Sequence, residues 1–163
     1  MSKLPSKNTT DLCDELGELA MVIERALHDY GAARAFSGAA SCLRTHENNV
    51  LVRRALEEPG EGRVLVVDAG GSRRCALLGD RLATLGVENG WAGIVIDGCV
   101  RDSAELASID FGIKAIGTSP RRSRKDESHG DRDIEISIGG VTIRPGDMVY
   151  ADADGVVVVA AAS

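Results

Sequence analysis

The sequence predicts an α/β fold in which a parallel βαβ core is covered by an antiparallel β layer. Three observations carry that expectation. Apolar, β-branched runs at residues 62–71, 92–98 and 112–117 alternate with segments of helical spacing, and the order strand, helix, strand, helix, strand builds a parallel sheet. Beyond residue 133 the pattern changes to short alternating strands separated by Gly139-Gly140, Pro145-Gly146 and Asp154-Gly155, turn signals that leave no room for a helix. A chain of 163 residues, 44% of them hydrophobic, is long enough to bury a core without disulfides or structural metal and is expected to form one domain over residues 1–163.

Taken in order, residues 9–20 (TTDLCDELGELA) place Leu12, Leu16 and Leu19 at helical spacing behind a Thr/Asp start, which predicts a short first helix. Residues 35–45 (AFSGAASCLRT) read as extended. Residues 47–60 (ENNVLVRRALEEPG) return to helical character, with Asn48 or Asn49 as cap and Pro59-Gly60 as stop. The stretch GRVLVVDAGG is a buried strand ending in Asp68 and a tight glycine turn. The next helix carries Leu78, Leu82 and Leu85 on one face and ends near Asn89-Gly90. AGIVIDG is the second buried strand, RDSAELAS a short helix, and GIKAIG the third strand.

Composition excludes several functions. Lys and Arg total 19 against 25 Asp and Glu, a formal charge of -6, and the chain has one Trp, two Tyr and two Phe. A nucleic-acid surface needs clustered positive charge and usually stacking rings, so no nucleic-acid partner is expected. The run PRRSRK (residues 120–125) is the exception, and it reads as a solvated loop because the mixed charges of DESHGDRD continue it. Cys13, Cys42, Cys75 and Cys99 lie far apart with no Cys-x-x-Cys and no matching His spacing, and read as reduced, buried small hydrophobes. His28, His46 and His129 stand alone, which gives no local support to a His-based metal site or triad. No charged-then-apolar leader opens the chain, and no apolar run nears the roughly 20 residues of a membrane span. A cytoplasmic, non-membrane protein is expected.

In open α/β sheets the carboxyl ends of the strands face the ligand crevice. Asp68-Ala-Gly-Gly, Asp97-Gly and Arg101-Asp102 stand at such ends, and Gly79-Asp80-Arg81-Leu82 joins them if a helix starts there. The free N–H groups and positive dipole end of such a helix suit a carboxylate or phosphate. Arg101, across from it, can grip the same anion in bidentate fashion. Asp102 supplies a hard oxygen ligand for Mg²⁺ or Mn²⁺, cations that keep several waters and take one or two protein carboxylates. Such a metal beside a bound 2-oxo acid polarises the ketone and stabilises an enolate. Each residue also has a structural reading. Asp102-Ser-Ala-Glu105 fits a capping box, Asp80 in a first helical turn is favoured by the dipole, and Gly70-Gly71 permit a turn.

Asp80, twenty intervening residues and then Arg101-Asp102 resemble the D-x20-R-D signature of the RraA-like family, which includes the 4-hydroxy-4-methyl-2-oxoglutarate aldolases. VLVVDAGGSRRCALLGD, NGWAGIVIDGCVRD, GIKAIGTSPRRS and GGVTIRPGDMVYADADGVVVV resemble family segments in family order, so that the resemblance runs from Thr10 to Val159. It implies a swivelling β/β/α domain assembled as a homotrimer or hexamer, with the site near a subunit boundary. It also implies a substrate carboxylate bound by Gly79, Asp80, Arg81 and Leu82, a substrate contact from Arg101, a divalent metal held directly by Asp102, and Asp80 acting through metal-bound water. The implied chemistry is retro-aldol cleavage of a small 2-oxo acid to pyruvate, with oxaloacetate decarboxylation through the same enolate.

Two other readings accompany the resemblance. Some family members are non-catalytic regulators that bind ribonuclease E and lack the acidic positions of the signature, whereas both Asp80 and Asp102 are present here. A methyltransferase label has also been attached to the family. VLVVDAGG resembles the strand and turn of an S-adenosylmethionine site, but the spaced glycines of G-x-G-x-G are missing and the all-β last third does not continue the alternation that fold requires.

Overall fold

The computed structural model describes residues 8–126 and 130–162, so His129 lies outside the described residues. The elements run α1 (Thr9–Leu16), a 3-10 turn (Gly17–Leu19), β1 (Met21–Val22), β2 (His28–Asp29), β3 (Phe36–Arg44), α2 (Val50–Glu57), β4 (Val64–Asp68), β5 (Ala76–Leu78) and α3 (Asp80–Glu88). They continue with β6 (Gly93–Val100), α4 (Ser103–Leu106), β7 (Gly112–Thr118), β8 (Asp131–Arg132), β9 (Ile136–Ile138), β10 (Val141–Ile143), β11 (Met148–Asp152) and β12 (Gly155–Val159).

The expected α/β architecture is present. Strands β3, β4, β6 and β7 lie parallel and adjacent, and β11 and β12 pair antiparallel beyond β3 in the order β1-β12-β11-β3-β4-β6-β7-β2. The antiparallel strands are therefore continuous with the parallel core through β3, which pairs in parallel with β4 on one side and antiparallel with β11 on the other. Among the described residues only the β9-β10 hairpin, turning at Gly139-Gly140 with φ of 53° and 81°, forms a separate sheet.

Side chains alternate across the parallel strands because their period is two residues. Leu43, Leu65, Val67, Ile94 and Ile96 face a core shared with Val52 and Leu56 of α2, Leu82 of α3, and Phe111. Cys42, Val64, Val66 and Val95 face the opposite core, closed by Ile136, Ile138 and Ile143 of the hairpin and by Val149 and Val158. Burial on both faces explains why these strands read as continuous apolar runs. All four cysteines are free thiols and all but Cys13 are buried; burial pushes the Cys42 thiol up to about 12.

Three short strands, β1, β2 and β8, were not foreseen; at two residues each they carry no readable periodicity. Leu78 belongs to β5 and not to the helix after it, because the wholly buried Ala76-Leu77-Leu78 pairs with the end of β6. The buried face of α3 is Leu82, Ala83 and Gly86. The cap of the second helix follows the sequence, with Asn49 as the N-cap residue of α2 and the Asn48 side chain accepting from Val50 N–H at 3.0 Å, whereas α1 is capped by Asn8, just before the expected Thr/Asp start, whose side chain accepts from Asp11 N–H at 2.9 Å. Among the described residues, no helix is long and apolar enough to cross a membrane.

Two tertiary devices hold the ends of this layout. Gly93 of β6 and Gly112 of β7 are register partners, and the Phe36 ring lies where a Cβ at either position would stand. Near it, one residue beyond the Phe36 register partner Ala151, Asp152 anchors α1: its carboxylate accepts from Thr9 N–H at 2.8 Å, Thr9 Oγ1 at 2.7 Å and Asp154 N–H at 3.0 Å. Burial pushes this carboxyl upward, but the hydrogen bonds from Thr9 and Asp154 outweigh it and hold Asp152 below the usual aspartate range.

Gly112→Ala is expected to destabilise folding by about 1–3 kcal/mol in urea denaturation, because the new methyl must displace the Phe36 ring. A lowered native pKa stabilises the fold above the unfolded-state value of about 3.9, and that stabilisation is lost as pH falls through the native value. The stability gap between the parent and Asp152→Asn, read from denaturation midpoints, should therefore be widest near neutrality and close in acid.

Candidate active site

Two strand-to-helix junctions meet at the carboxyl end of the parallel sheet. The first is β5 to α3, where Gly79 is the N-cap residue and Asp80 opens the helix. The second is β6 to α4, where Arg101 and Asp102 follow the strand. Arg101 N–H donates to Leu78 O at 2.9 Å, which continues the β5–β6 pairing and fixes the two junctions against each other.

Asp102 makes the second tie. Its backbone is left-handed, φ 60° and ψ 41°, a conformation open to Asp and Asn but uncommon for side chains in general. That twist turns its carboxylate away from its own helix and toward the neighbouring one, where Oδ2 accepts the Asp80 N–H at 3.0 Å. The expected capping box on α4 is therefore not formed: no side-chain bond caps that helix, and Asp102 instead caps α3 from outside. Gly79 is required by the same contact, since a Cβ there would stand 2.6 Å from Asp102 Oδ2. The first intrahelical bond of α3 runs from Ala83 N–H to Gly79 O, so the Arg81 and Leu82 amides remain as open donors at a positive helix end.

These groups line one cavity of about 550 Å³, which brings together Gly79, Asp80, Arg81, Leu82, Arg101 and Asp102. Asn49 and Arg53 of α2 and Arg122, Ser123 and Lys125 of the loop after β7 complete the wall. Sequence reasoning missed these five residues. A signal existed for each group: Asn49 and Arg53 are one helical turn apart, and the PRRSRK run follows a parallel strand at the end where ligands bind. The run is a loop with all but Ser123 exposed, as expected, and three of its residues also line the cavity, which was not expected.

Asp68 and Asp97 do not line the cavity. Asp68 accepts from the Gly70 N–H of its own turn at 3.1 Å and pairs with Arg44 at 3.5 Å. Asp97 sits within β6 and holds Arg25 at 2.7 Å. The same Arg25 guanidinium fills the space that a side chain at Gly71 would take.

Electrostatically the cavity opposes the chain as a whole. Arg53, Arg81, Arg101, Arg122 and Lys125 line it without an ion-pair partner among the described residues, against the carboxylates of Asp80 and Asp102, in a chain of formal charge -6. Among the described residues no three His, Cys, Asp or Glu side chains gather as a metal cage. One hard carboxylate without an ion pair, bordered by open space for water, still fits a Mg²⁺- or Mn²⁺-type ion that retains most of its hydration.

The cap across the two junctions has a measurable signature. Asp102→Ala should lower stability by about 0.5–2 kcal/mol, and Asp102→Asn by much less. In native-state hydrogen exchange the Ala variant should lose protection at the Asp80 amide and keep it along residues 103–106; the reverse pattern would mean that Asp102 caps its own helix.

The family model described as RraA-like, Aldolase/RraA, matches residues 9–158. A Deinococcus radiodurans protein provisionally named a 4-hydroxy-4-methyl-2-oxoglutarate aldolase is 56% identical over 155 residues, covering 95% of this chain and 96% of its own. A protein of the same provisional name from Alkalilimnicola ehrlichii is 54% identical over 92% of each chain. Among solved structures, a Geobacillus kaustophilus protein described as an S-adenosylmethionine:2-dimethylmenaquinone methyltransferase superposes with a TM-score of 0.92 at 50% identity over 96% of both chains. The RNA-processing inhibitor RraA from Thermus thermophilus superposes with a TM-score of 0.91 at 39% identity, over 96% of this chain and 94% of its own. With a family match over nearly all its length and relatives above half identity, the chain belongs to the RraA-like family.

Proposed function

We propose that the protein is a divalent-metal-dependent lyase that cleaves 2-oxo acids of the 4-hydroxy-4-methyl-2-oxoglutarate type to pyruvate and decarboxylates oxaloacetate through the same pyruvate enolate. The observation that carries this reading is the meeting of Asp80, Arg101 and Asp102 at the N-terminus of α3, on a cavity lined by unpaired cations. The names of the aldolase relatives support it.

The Arg81 and Leu82 amides and the dipole of α3 receive the substrate's 2-oxo carboxylate, and the bare Gly79 lets that group approach the backbone closely. Arg101 places its guanidinium on the substrate oxygens, where it offsets the negative charge that grows as the bond breaks. Asp102 would hold Mg²⁺ or Mn²⁺, with Asp80 beside it ordering bound water. When bound, such an ion supplies Lewis-acid polarisation of the ketone. In aldol cleavage the C4 hydroxyl gives up its proton and becomes a carbonyl, the C3–C4 bond breaks, and its electron pair forms the enolate. Protonation at C3 yields pyruvate. With oxaloacetate the same bond breaks to release carbon dioxide. The same reading implies a homotrimer or hexamer with the cavity near a subunit boundary.

Similarity to the Thermus RraA favours a second reading, a regulator that binds ribonuclease E. The pair Asp80 and Asp102 favours the enzyme. A methyltransferase is disfavoured, because Arg25 crowds the glycine turn that a nucleoside would have to enter.

Pyruvate release from 4-hydroxy-2-oxo acids and oxaloacetate, assayed with and without Mg²⁺, tests the proposal. Arg101→Lys keeps the charge but loses the planar fork, and should cut the rate at least about tenfold, roughly 1.4 kcal/mol in the barrier. Asp102→Asn should keep its metal-free melting temperature and lose Mg²⁺-dependent turnover; full activity with unchanged Mg²⁺ dependence would overturn the metal role.

A further inference from the structure

The loop after β7 carries four cations in five residues, Arg121, Arg122, Arg124 and Lys125, and they do not share one destination. Arg122 and Lys125 line the cavity of about 550 Å³. Arg121 and Arg124 line a second hollow of about 270 Å³ together with Arg74, and Arg122 borders both spaces. Like charges packed this closely repel one another, so their division between two walls needs a cause.

Among the described residues the one carboxylate lining that hollow is Glu47, in the connection between β3 and α2. Its Oε2 accepts from Ser72 Oγ at 2.7 Å and stands 3.9 Å from Arg74 Nε, both in the connection between β4 and β5. Its carbonyl oxygen accepts from Arg124 N–H at 3.1 Å. A single residue thus joins three of the connections at the carboxyl end of the sheet. The Glu47 side chain is sheltered, 18% exposed beside an Arg74 that is 83% exposed. The Ser72 hydroxyl, with His46, Arg74 and Arg124 around it, holds the carboxyl below the usual glutamate range although burial pushes the other way, so it stays charged at neutral pH. Its backbone is left-handed, φ 55°, a strained state for a glutamate that persists only where the surroundings fix it. Arg124 also meets Asp126 at 3.6 Å, but both partners are more than half exposed, and such pairs contribute little.

We propose that Glu47 is a positioning residue whose carboxylate holds Arg74 and Arg124 in the hollow and so leaves Arg122 and Lys125 as the loop cations that face the cavity. Glu47 lines no part of the cavity itself and acts through the loop alone. Without its charge nothing else in the hollow offsets Arg74, Arg121 and Arg124, and the loop loosens from the turn it is bound to. The inference rests on the lyase reading for what binds in the cavity; the hold on the loop is independent of it.

Steady-state decarboxylation of oxaloacetate with Mg²⁺ separates binding from turnover. Glu47→Gln should raise KM at least about fivefold and leave kcat within about twofold of the parent. Glu47→Asp keeps the charge and tolerates the left-handed backbone, and should recover most of the loss. Glu47→Gly relieves the backbone strain without restoring the carboxylate, so it should melt no lower than the parent and still show the raised KM. In native-state hydrogen exchange Glu47→Gln should speed exchange at the Arg124 amide at least about tenfold and leave the Asp80 amide, at the α3 end of the cavity, unchanged. Faster exchange at Arg124 with KM and kcat both unchanged would make Glu47 purely structural and overturn the proposal. A fall in kcat at constant KM, or a Glu47→Gln protein indistinguishable from the parent, would overturn it too. If the parent releases no pyruvate from oxaloacetate, the lyase reading falls, and the Kd for pyruvate, read from amide shifts in nuclear magnetic resonance, takes the place of KM. Weaker pyruvate binding in Glu47→Gln then supports the positioning role, and equal binding, or none in the parent, overturns it.

Discussion

The site depends on one contact, the carboxylate of Asp102 resting on the first amide of α3. It joins two junctions that are separate in sequence and adjacent in space, and it does so at the place where a helix presents unsatisfied donors and partial positive charge. Three local features serve it. The left-handed backbone at Asp102 aims the carboxylate sideways, the missing side chain at Gly79 leaves room, and the bond from Arg101 N–H to Leu78 O sets the spacing. Without any one of them, Asp102 would face its own helix or solvent.

Beneath that contact, β3 gives the sheet its continuity. It meets β4 in parallel and β11 in antiparallel pairing, so a single sheet carries both the helix-covered face and the face closed by the β9-β10 hairpin. Strands buried on both sides tolerate little movement, and backbone bonds tie a loop at their carboxyl ends to them. The loop after β7 is a case in point. It is exposed and rich in arginine, yet backbone bonds to β5 and to the segment before α2 hold it against the cavity.

Much of this was legible in the sequence. The alternation of apolar runs with helical spacing gave the parallel core, and the three glycine-bearing turns gave the antiparallel strands their order. Asp80, Arg101 and Asp102 could be placed at element tips because Gly79 and the end of the AGIVIDG strand mark those tips. What sequence could not supply was the direction of side chains at the junctions. A positive φ at an aspartate leaves no pattern in composition, so the capping box on α4 looked sound until the backbone was seen to turn the other way. Asp68 and Asp97 were read as cavity residues because strand ends converge in this fold class. Arg44 and Arg25 divert them, and the Arg25 partner lies 72 residues from Asp97, beyond any local rule. That the exposed basic run also borders the cavity was hidden for a similar reason, since only tertiary pairing brings it back to the sheet.

The left-handed residue after β6 separates two kinds of inheritance. Its geometry admits Asp, Asn or Gly at small conformational cost, while a hard cation is served by Asp alone of the three. A lineage could thus exchange Asp for Asn here, give up a hard-cation ligand, and keep its sheet and folding stability nearly untouched. Proteins with nearly superposable backbones, such as those carrying the names of a methyltransferase and an RNA-processing inhibitor, can then part ways in chemistry through a change that their shapes do not register.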